Sequence, residues 1–274
     1  MAALPRSHRD SYDIGHFAAN GWPAVSWPLV AALAVAGLAI GWCLRAVVVR
    51  LAVNAGQPAQ VGCPACGHPI LAPGRRLRSA PAPSGHCPAC RGRVGPPPLA
   101  VEVSTAVLFG VLAARVHPGL VLAAACWLAV CTVPLAWVDA AVQRLPDVLT
   151  APAYAGTAGL LLVAAAVGGH WHSMLRAAIG GLALAAAYLA LAIVSRSAIG
   201  LGDAKLAASL GTMLAWAGWS VLVAGTLAGF LLAAVYGLGL LALRRASWRQ
   251  RIPFGPFMIA GAFLALVITA GTVS

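Results

Sequence analysis

From Trp27 to the C-terminus the chain is a succession of apolar runs separated by short polar breaks. Such runs constrain the fold more than any motif does. Hydrocarbon offers no partner to a backbone N–H or C=O, so a membrane segment must satisfy its own, as a helix does. The runs predict an all-α polytopic membrane protein. About eight transmembrane helices are expected, over residues 27–49, 99–114, 120–138, 148–167, 174–194, 206–216, 220–243 and 255–273. The sixth is short and is expected to begin inside the bilayer. Between the first two helices lies a polar insert rich in Cys, Pro, Gly and Arg. The domain plan is therefore a polar tail (1–26), a first helix (27–51), an insert (52–98) and a seven-helix core (99–274). The tail carries Asp10 and Asp13 and lacks the basic-then-apolar order of a secretory signal.

The net charge of +12 needs a reason in a chain that is 61% hydrophobic and 9% charged. Nucleic acid is one candidate, but no basic patch is interleaved with aromatics. Basic loops on the cytoplasmic side of a membrane explain the charge better. If the N-terminal tail lies outside, thirteen basic residues fall inside, among them Arg50, Arg91, Arg93, Arg144, Lys205 and the 244–251 cluster. Only Arg6, Arg9, Arg115 and Arg176 fall outside. The insert is then cytoplasmic, and the expected partner of the basic loops is membrane lipid.

Acidic residues are scarce, so each one beside an apolar run asks for a function. Asp139 ends the third predicted helix going in, and Asp203 precedes the sixth going out. Two helices and a turn separate them, which returns both to one membrane depth. Two carboxylates at one depth share a proton, because both cannot ionise cheaply when close. One then serves as base and the other as acid, and such a pair activates water against a peptide carbonyl. Asp203 sits in the only glycine-rich turn of this kind, Gly200-Leu-Gly202-Asp203-Ala-Lys205. Its glycines permit close backbone approach, and Lys205, the only lysine, either binds substrate or snorkels to the interface. The competing role for either aspartate is helix capping, with Asp203 at an N-cap position. Asp147, in Leu145-Pro146-Asp147, competes with Asp139 for the first catalytic position but reads as a cap or turn residue.

In the insert, Cys63-Pro-Ala-Cys66 recurs as Cys87-Pro-Ala-Cys90, twenty residues on. Two such knuckles complete a tetrahedral zinc site with no open position, so the metal is structural. Two disulfides or free thiols are the alternatives, and a cytoplasmic insert disfavours disulfides. His68 and His86 adjoin the knuckles as substitute ligands. Cys43, Cys126 and Cys131 lie in apolar helices as packing residues. Glu102 opens the second helix and is expected to pair with Arg45 or Arg50, or to approach the aspartates. His170 and His172 are expected in a solvated loop at the far face.

Taken in order, these segments resemble the bacterial prepilin peptidases, the type IV leader peptidases, which are GxGD-type intramembrane aspartic proteases. The resemblance is carried by 41–51, by the paired Cys-Pro-x-Cys motifs with Pro98-Leu-Ala-Val-Glu102, and by Trp137-Val-Asp139 through Asp147. Gly200 to Lys205 and Ile252-Pro-Phe-Gly-Pro-Phe257 complete it. Arg45 stands where the family usually has asparagine. The resemblance implies that Asp139 and Asp203 are the catalytic pair, and that Cys63, Cys66, Cys87 and Cys90 bind Zn2+. It implies cleavage, at the cytoplasmic face of the inner membrane, of type IV prepilins or pseudopilins, substrates with a basic leader and an apolar N-terminal helix. Members with the four-cysteine loop commonly also N-methylate the new terminus with S-adenosylmethionine. Two other classes use the same residues differently. A transporter or proton relay needs polar residues along a midplane pathway, whereas here they gather at one face. A non-catalytic assembly factor would use the insert to dock a partner.

Overall fold

The computed structural model describes residues 26–54, 56–70, 85–117, 119–195, 200–244 and 253–269. The tail to residue 25, with Arg6, Arg9, Asp10 and Asp13, lies outside the described residues. So do Arg75, Arg76, Arg78, Arg196, Arg245, Arg249, Arg251 and Ile252. Eight helices run through the described residues: α1 (Trp27–Leu51), α2 (Ala100–Arg115), α3 (Leu120–Val142), α4 (Asp147–Gly168), α5 (Trp171–Ser195), α6 (Leu201–Ala217), α7 (Trp219–Ala242) and α8 (Gly255–Thr269). The described residues hold no strand beyond isolated bridges in the insert. Five helices (α1, α3, α4, α5 and α7) are long and apolar enough to cross a membrane. The other three have 16, 17 and 15 residues. At 1.5 Å per residue they reach about 23–26 Å, less than the roughly 30 Å hydrocarbon core.

Successive helices pack as hairpins, α1 on α2, α3 on α4, α5 on α6 and α7 on α8. Hydrophobicity does not drive helix association in lipid, so close van der Waals fit does. Glycines supply it here. Gly37 and Gly41, one turn apart on α1, lie against the backbone of Ala106 and Glu102, where any Cβ would collide. Gly180 and Gly181 of α5 lie against the side chains of Ala215 and Thr212 of α6, where a Cβ would again collide. Gly261 of α8 lies against the backbone of Gly225 and Gly229 of α7. α6 is the centre of the bundle. From Leu206 to Ala215 nearly every residue is buried, including Ser209 and Thr212. Helices α4, α5, α7 and α8 surround it.

One turn beyond Gly41 comes Arg45, buried to 1% exposure. Its guanidinium grips Glu102 of α2 with two bonds, Nε to Oε1 at 2.7 Å and Nη2 to Oε2 at 2.8 Å. It also donates to the carbonyls of Pro96 (3.1 Å) and Pro97 (2.9 Å). Those prolines have no N–H to give, and they lead into α2 just before Leu99, which is left-handed at φ 57°. The asparagine-to-arginine departure noted above is thus a buried fork that fixes the exit of the insert onto α1 and α2. Of the partners open to Glu102, Arg45 is the one it takes, and Arg50 is exposed.

Removing one member of a buried pair strands the other charge, at about 3–5 kcal/mol, while removing both costs far less. Arg45→Met and Glu102→Met alone are therefore each expected to lower the unfolding midpoint in detergent sharply. The double variant is expected to regain most of the loss. Additive losses in thermal unfolding would contradict this role.

Candidate active site and metal centre

The helix order returns the ends of α3, α5 and α7 and the starts of α4, α6 and α8 to one end of the bundle. Asp139 lies in the last turn of α3 and Asp203 in the first turn of α6. Their residual exposures are only 5% and 7%. Asp139 lies within electrostatic range of Asp203.

α6 differs from its sequence expectation, which began it at residue 206. It begins at Leu201, so the Gly-Leu-Gly-Asp segment is the helix's first turn rather than a turn before it. Gly200 is the N-cap, in an extended conformation, and Asp203 is the third helical residue rather than the cap. The cause is local. The Asp203 Oδ2 reaches back to accept the Gly200 N–H at 2.9 Å, and the Asp203 N–H bonds the Gly200 carbonyl at 3.0 Å. Closing that loop adds a turn of helix. Gly202 makes its close approach to the chain itself: a Cβ there would sit 2.9 Å from the Leu145 Cβ. The missing side chain lets the start of α6 nest against the α3–α4 connection, which draws Asp203 toward Asp139.

Asp139 is held from a different direction. Its Oδ2 accepts the N–H of Gly255, the first residue of α8, at 2.9 Å. A Cβ on residue 255 would meet that oxygen at 2.8 Å, so a side chain there would force the Asp139 carboxylate to shift. The start of a helix carries unsatisfied N–H groups and a positive partial charge, and here one of them is spent on a buried carboxylate. Pro253 and Pro256 bracket Gly255, and each fixes its own φ and brings no N–H to the start of α8.

Asp147 and Lys205 form an ion pair across α4 and α6, Nζ to Oδ1 at 2.7 Å. Both side chains are exposed, 68% and 54%. Asp147 is thus the N-terminal residue of α4, paired at an exposed position, while Asp139 is the one brought near Asp203. Lys205 finds its partner within the chain. Tyr188 of α5, which the sequence did not single out, lies buried within range of Asp203. Its ring stacks on Phe230 at 5.8 Å and tilts against Phe254, next to Gly255, at 6.0 Å. A tyrosine in an apolar helix fifteen residues before Asp203 gives no signal by spacing alone.

A cavity of about 640 Å³ lies at the opposite end of the bundle, lined in part by Arg115, His117, His170, Arg176 and Trp216. Arg176 donates to the carbonyls of Ala215 and Trp216 and so caps the C-terminus of α6. His170 meets Trp216 edge-on at 6.4 Å, and His172 lies in the first turn of α5 rather than in a loop.

In the insert the two knuckles are near copies of each other. The N–H of Cys63 bonds the His68 carbonyl and that of Cys87 bonds the Gly92 carbonyl, both at 2.8 Å. The N–H of Gly67 and of Arg91 each return to the cysteine four residues back at 2.9 Å. Both Gly67 and Arg91 are left-handed, at φ 71° and 57°. All four sulfurs lie within 4.8 Å of one another, with Cys63–Cys90 at 3.6 Å and Cys66–Cys87 at 3.7 Å. These are not disulfide lengths, and the thiols are free. Neither His68 nor His86 belongs to the cluster. N–H groups of Cys66 and Ala65 aimed at the Cys63 sulfur hold its thiol down to about 7. Cys66 accepts the N–H of His68, yet the sulfurs of Cys90, Cys87 and Cys63 push it up to about 12. Four sulfurs this close cannot all ionise on their own, and a cation among them removes the conflict. The cluster can hold a metal ion.

Comparison with known proteins shows the family. Residues 122–241, which contain both buried aspartates, match the model of the type IV leader peptidase family. The chain is 35% identical to the prepilin leader peptidase/N-methyltransferase of Aeromonas salmonicida, over 75% of this chain and 70% of the relative. It is 32% identical to the protein of that name from Pseudomonas aeruginosa over the same shares. To that from Dichelobacter nodosus it is 33% identical, over 76% and 71%. No solved structure matches the chain. The chain belongs to the type IV leader peptidase family and is a multi-pass membrane protein.

An exposed ion pair contributes at most about 1 kcal/mol. A double-mutant cycle on Lys205→Met and Asp147→Asn, read by unfolding in detergent, is therefore expected to give a coupling of about 1 kcal/mol or less. A coupling several times larger would show that the pair is structural rather than a surface contact.

Proposed function

We propose that this protein is an intramembrane aspartic endopeptidase that removes the leader from type IV prepilins or related pseudopilins. The observation that carries the reading is the pair of buried carboxylates, Asp139 and Asp203, at one end of the bundle. Each is fixed through one oxygen by a backbone N–H, from Gly255 and Gly200 respectively. That leaves Oδ1 of each for chemistry. One carboxylate takes a proton from a water held between them while the other, protonated, donates to the scissile carbonyl oxygen. The tetrahedral diol then collapses as a proton passes to the leaving amine. Backbone donors cannot rotate away, so the oxygens stay where the reacting atoms need them.

The basic loops support placing the aspartates and the insert at the cytoplasmic face of the bacterial inner membrane, with the N-terminus outside. The metal we assign to Cys63, Cys66, Cys87 and Cys90 is Zn2+. Four thiolates around a zinc at about 2.3 Å stand about 3.8 Å apart, close to the separations present. Such a closed site leaves no position for substrate, so the zinc would supply folding energy to an insert with little core. The curated relatives are named for both peptidase and N-methyltransferase activity. We extend both to this chain, with S-adenosylmethionine as methyl donor to the new N-terminal amine.

Co-expression with a cognate prepilin tests the assignment of the pair. Asp139→Asn and Asp203→Asn are each expected to abolish the size shift of the pilin while the protein still inserts. Asp147→Asn is expected to retain it. Loss with Asp147→Asn and retention with Asp139→Asn would move the first role to Asp147. Metal analysis of the purified chain is expected to find a single zinc per protein, lost on Cys63→Ser or Cys87→Ser. A fully reduced, metal-free insert that remains folded would refute the zinc assignment.

A further inference from the structure

A lateral groove of about 610 Å³ runs between α2, α3 and α8. α2 and α8 barely touch, so the groove lies open along the side of the bundle. Its near end is at the carboxylate pair. Trp137 stands two residues before Asp139, and Pro256 directly follows the Gly255 that bonds Asp139. From there it follows α2 to Val111 and α8 to Val267. Twelve residues of helix on each wall rise about 16 Å, or three turns.

We propose that this groove seats the apolar helix of the substrate that continues from the scissile bond into the bilayer. The inference rests on the peptidase reading and names the surface that reading requires. A chain cut at the membrane end of a helical bundle, and continuing into hydrocarbon, must be helical there to satisfy its own backbone. It must also lie beside the catalytic pair from its first turn. The groove combines a concave, lipid-open wall with contact to the segments that hold Asp139, through Trp137 and Pro256. The floor is built of small residues one turn apart, Ala100 and Ser104 on α2 and Pro256 and Ala260 on α8. Small residues let a second backbone come close, and Ser104 adds a hydroxyl within the apolar wall. The rims are exposed valines and leucines, among them Val107 at 58% and Leu264 at 45%. A helix seated here would pack on α8, whose first N–H positions the catalytic carboxylate.

Photo-crosslinking tests this directly. Benzoylphenylalanine replaces Val107 or Leu264 in an Asp203→Asn chain, reconstituted with an uncleaved prepilin in phosphatidylethanolamine/phosphatidylglycerol vesicles. The exposed Leu182 of α5 serves as the control position. The expected result is a prepilin adduct from Val107 and Leu264, mapped by mass spectrometry to the three turns after the scissile bond, and none from Leu182. Adducts with phospholipid alone, with a second copy of the chain, or equally from Leu182 would overturn the proposal. Wild-type cleavage of the same prepilin is read in parallel. Cleavage without a groove adduct rejects the groove and leaves the peptidase reading standing, whereas no cleavage rejects that reading itself. As a second arm, Ala260→Trp fills the groove. It is expected to lower kcat/KM for intact prepilin about tenfold more than for a peptide ending a few residues past the scissile bond. Equal losses on both substrates would overturn the proposal.

Discussion

A carboxylate buried at the end of a membrane helix must find a donor, and in this protein the donors are backbone N–H groups at the starts of other helices. That requirement links elements far apart in the chain. Asp139 closes α3 but is bonded by the first residue of α8, 116 positions later. Asp203 draws the Gly200 N–H back onto itself and so sets where α6 begins. The same logic operates at the other charged site. Arg45 spends four of its five N–H donors on Glu102 and on two proline carbonyls, and in doing so joins the insert to the first helix pair. No buried charge is left to hydrocarbon at either place. Each becomes a joint between segments.

Glycine is the second half of that construction. A donor can reach a buried oxygen only if no side chain stands between them. Gly255 leaves room for Asp139, and Gly202 leaves room for Leu145. The hairpins that carry these joints close through Gly37 and Gly41, Gly180 and Gly181, and Gly261. Helix packing in lipid has little else to draw on. The site is therefore precise because its supports are backbone and close packing rather than long side chains.

Much of this was legible in the sequence. Apolar runs announced the helices, since hydrocarbon permits few other structures, and most observed ends fall within a few residues of the expected ones. The Cys-x2-Cys repeats announced a four-sulfur cluster because two knuckles are a short-range geometry. The exception among the helices was α6. Its first turn is polar and glycine-rich, so hydropathy started it five residues late, and only the contact of Asp203 with Gly200 reveals the added turn. Long-range pairings were also hidden. Lys205 carries no mark of Asp147, fifty-eight residues away, and nothing near Tyr188 signals Asp203. The bond between Gly255 and Asp139 is likewise invisible until α3 and α8 are placed side by side. Sequence spacing reports what a helix or knuckle does locally, while these contacts are made by packing.

The central claim is that Asp139 and Asp203 work as one unit on one substrate bond. The most direct measurement is the single-turnover cleavage rate of a prepilin by the Asp139→Asn, Asp203→Asn and double variants of the purified, reconstituted protein. Groups that act as a unit lose their effect together, so the double variant is predicted to cleave no more slowly than either single variant. Losses that multiply in the double variant would mean the two carboxylates contribute independently, and would contradict the account.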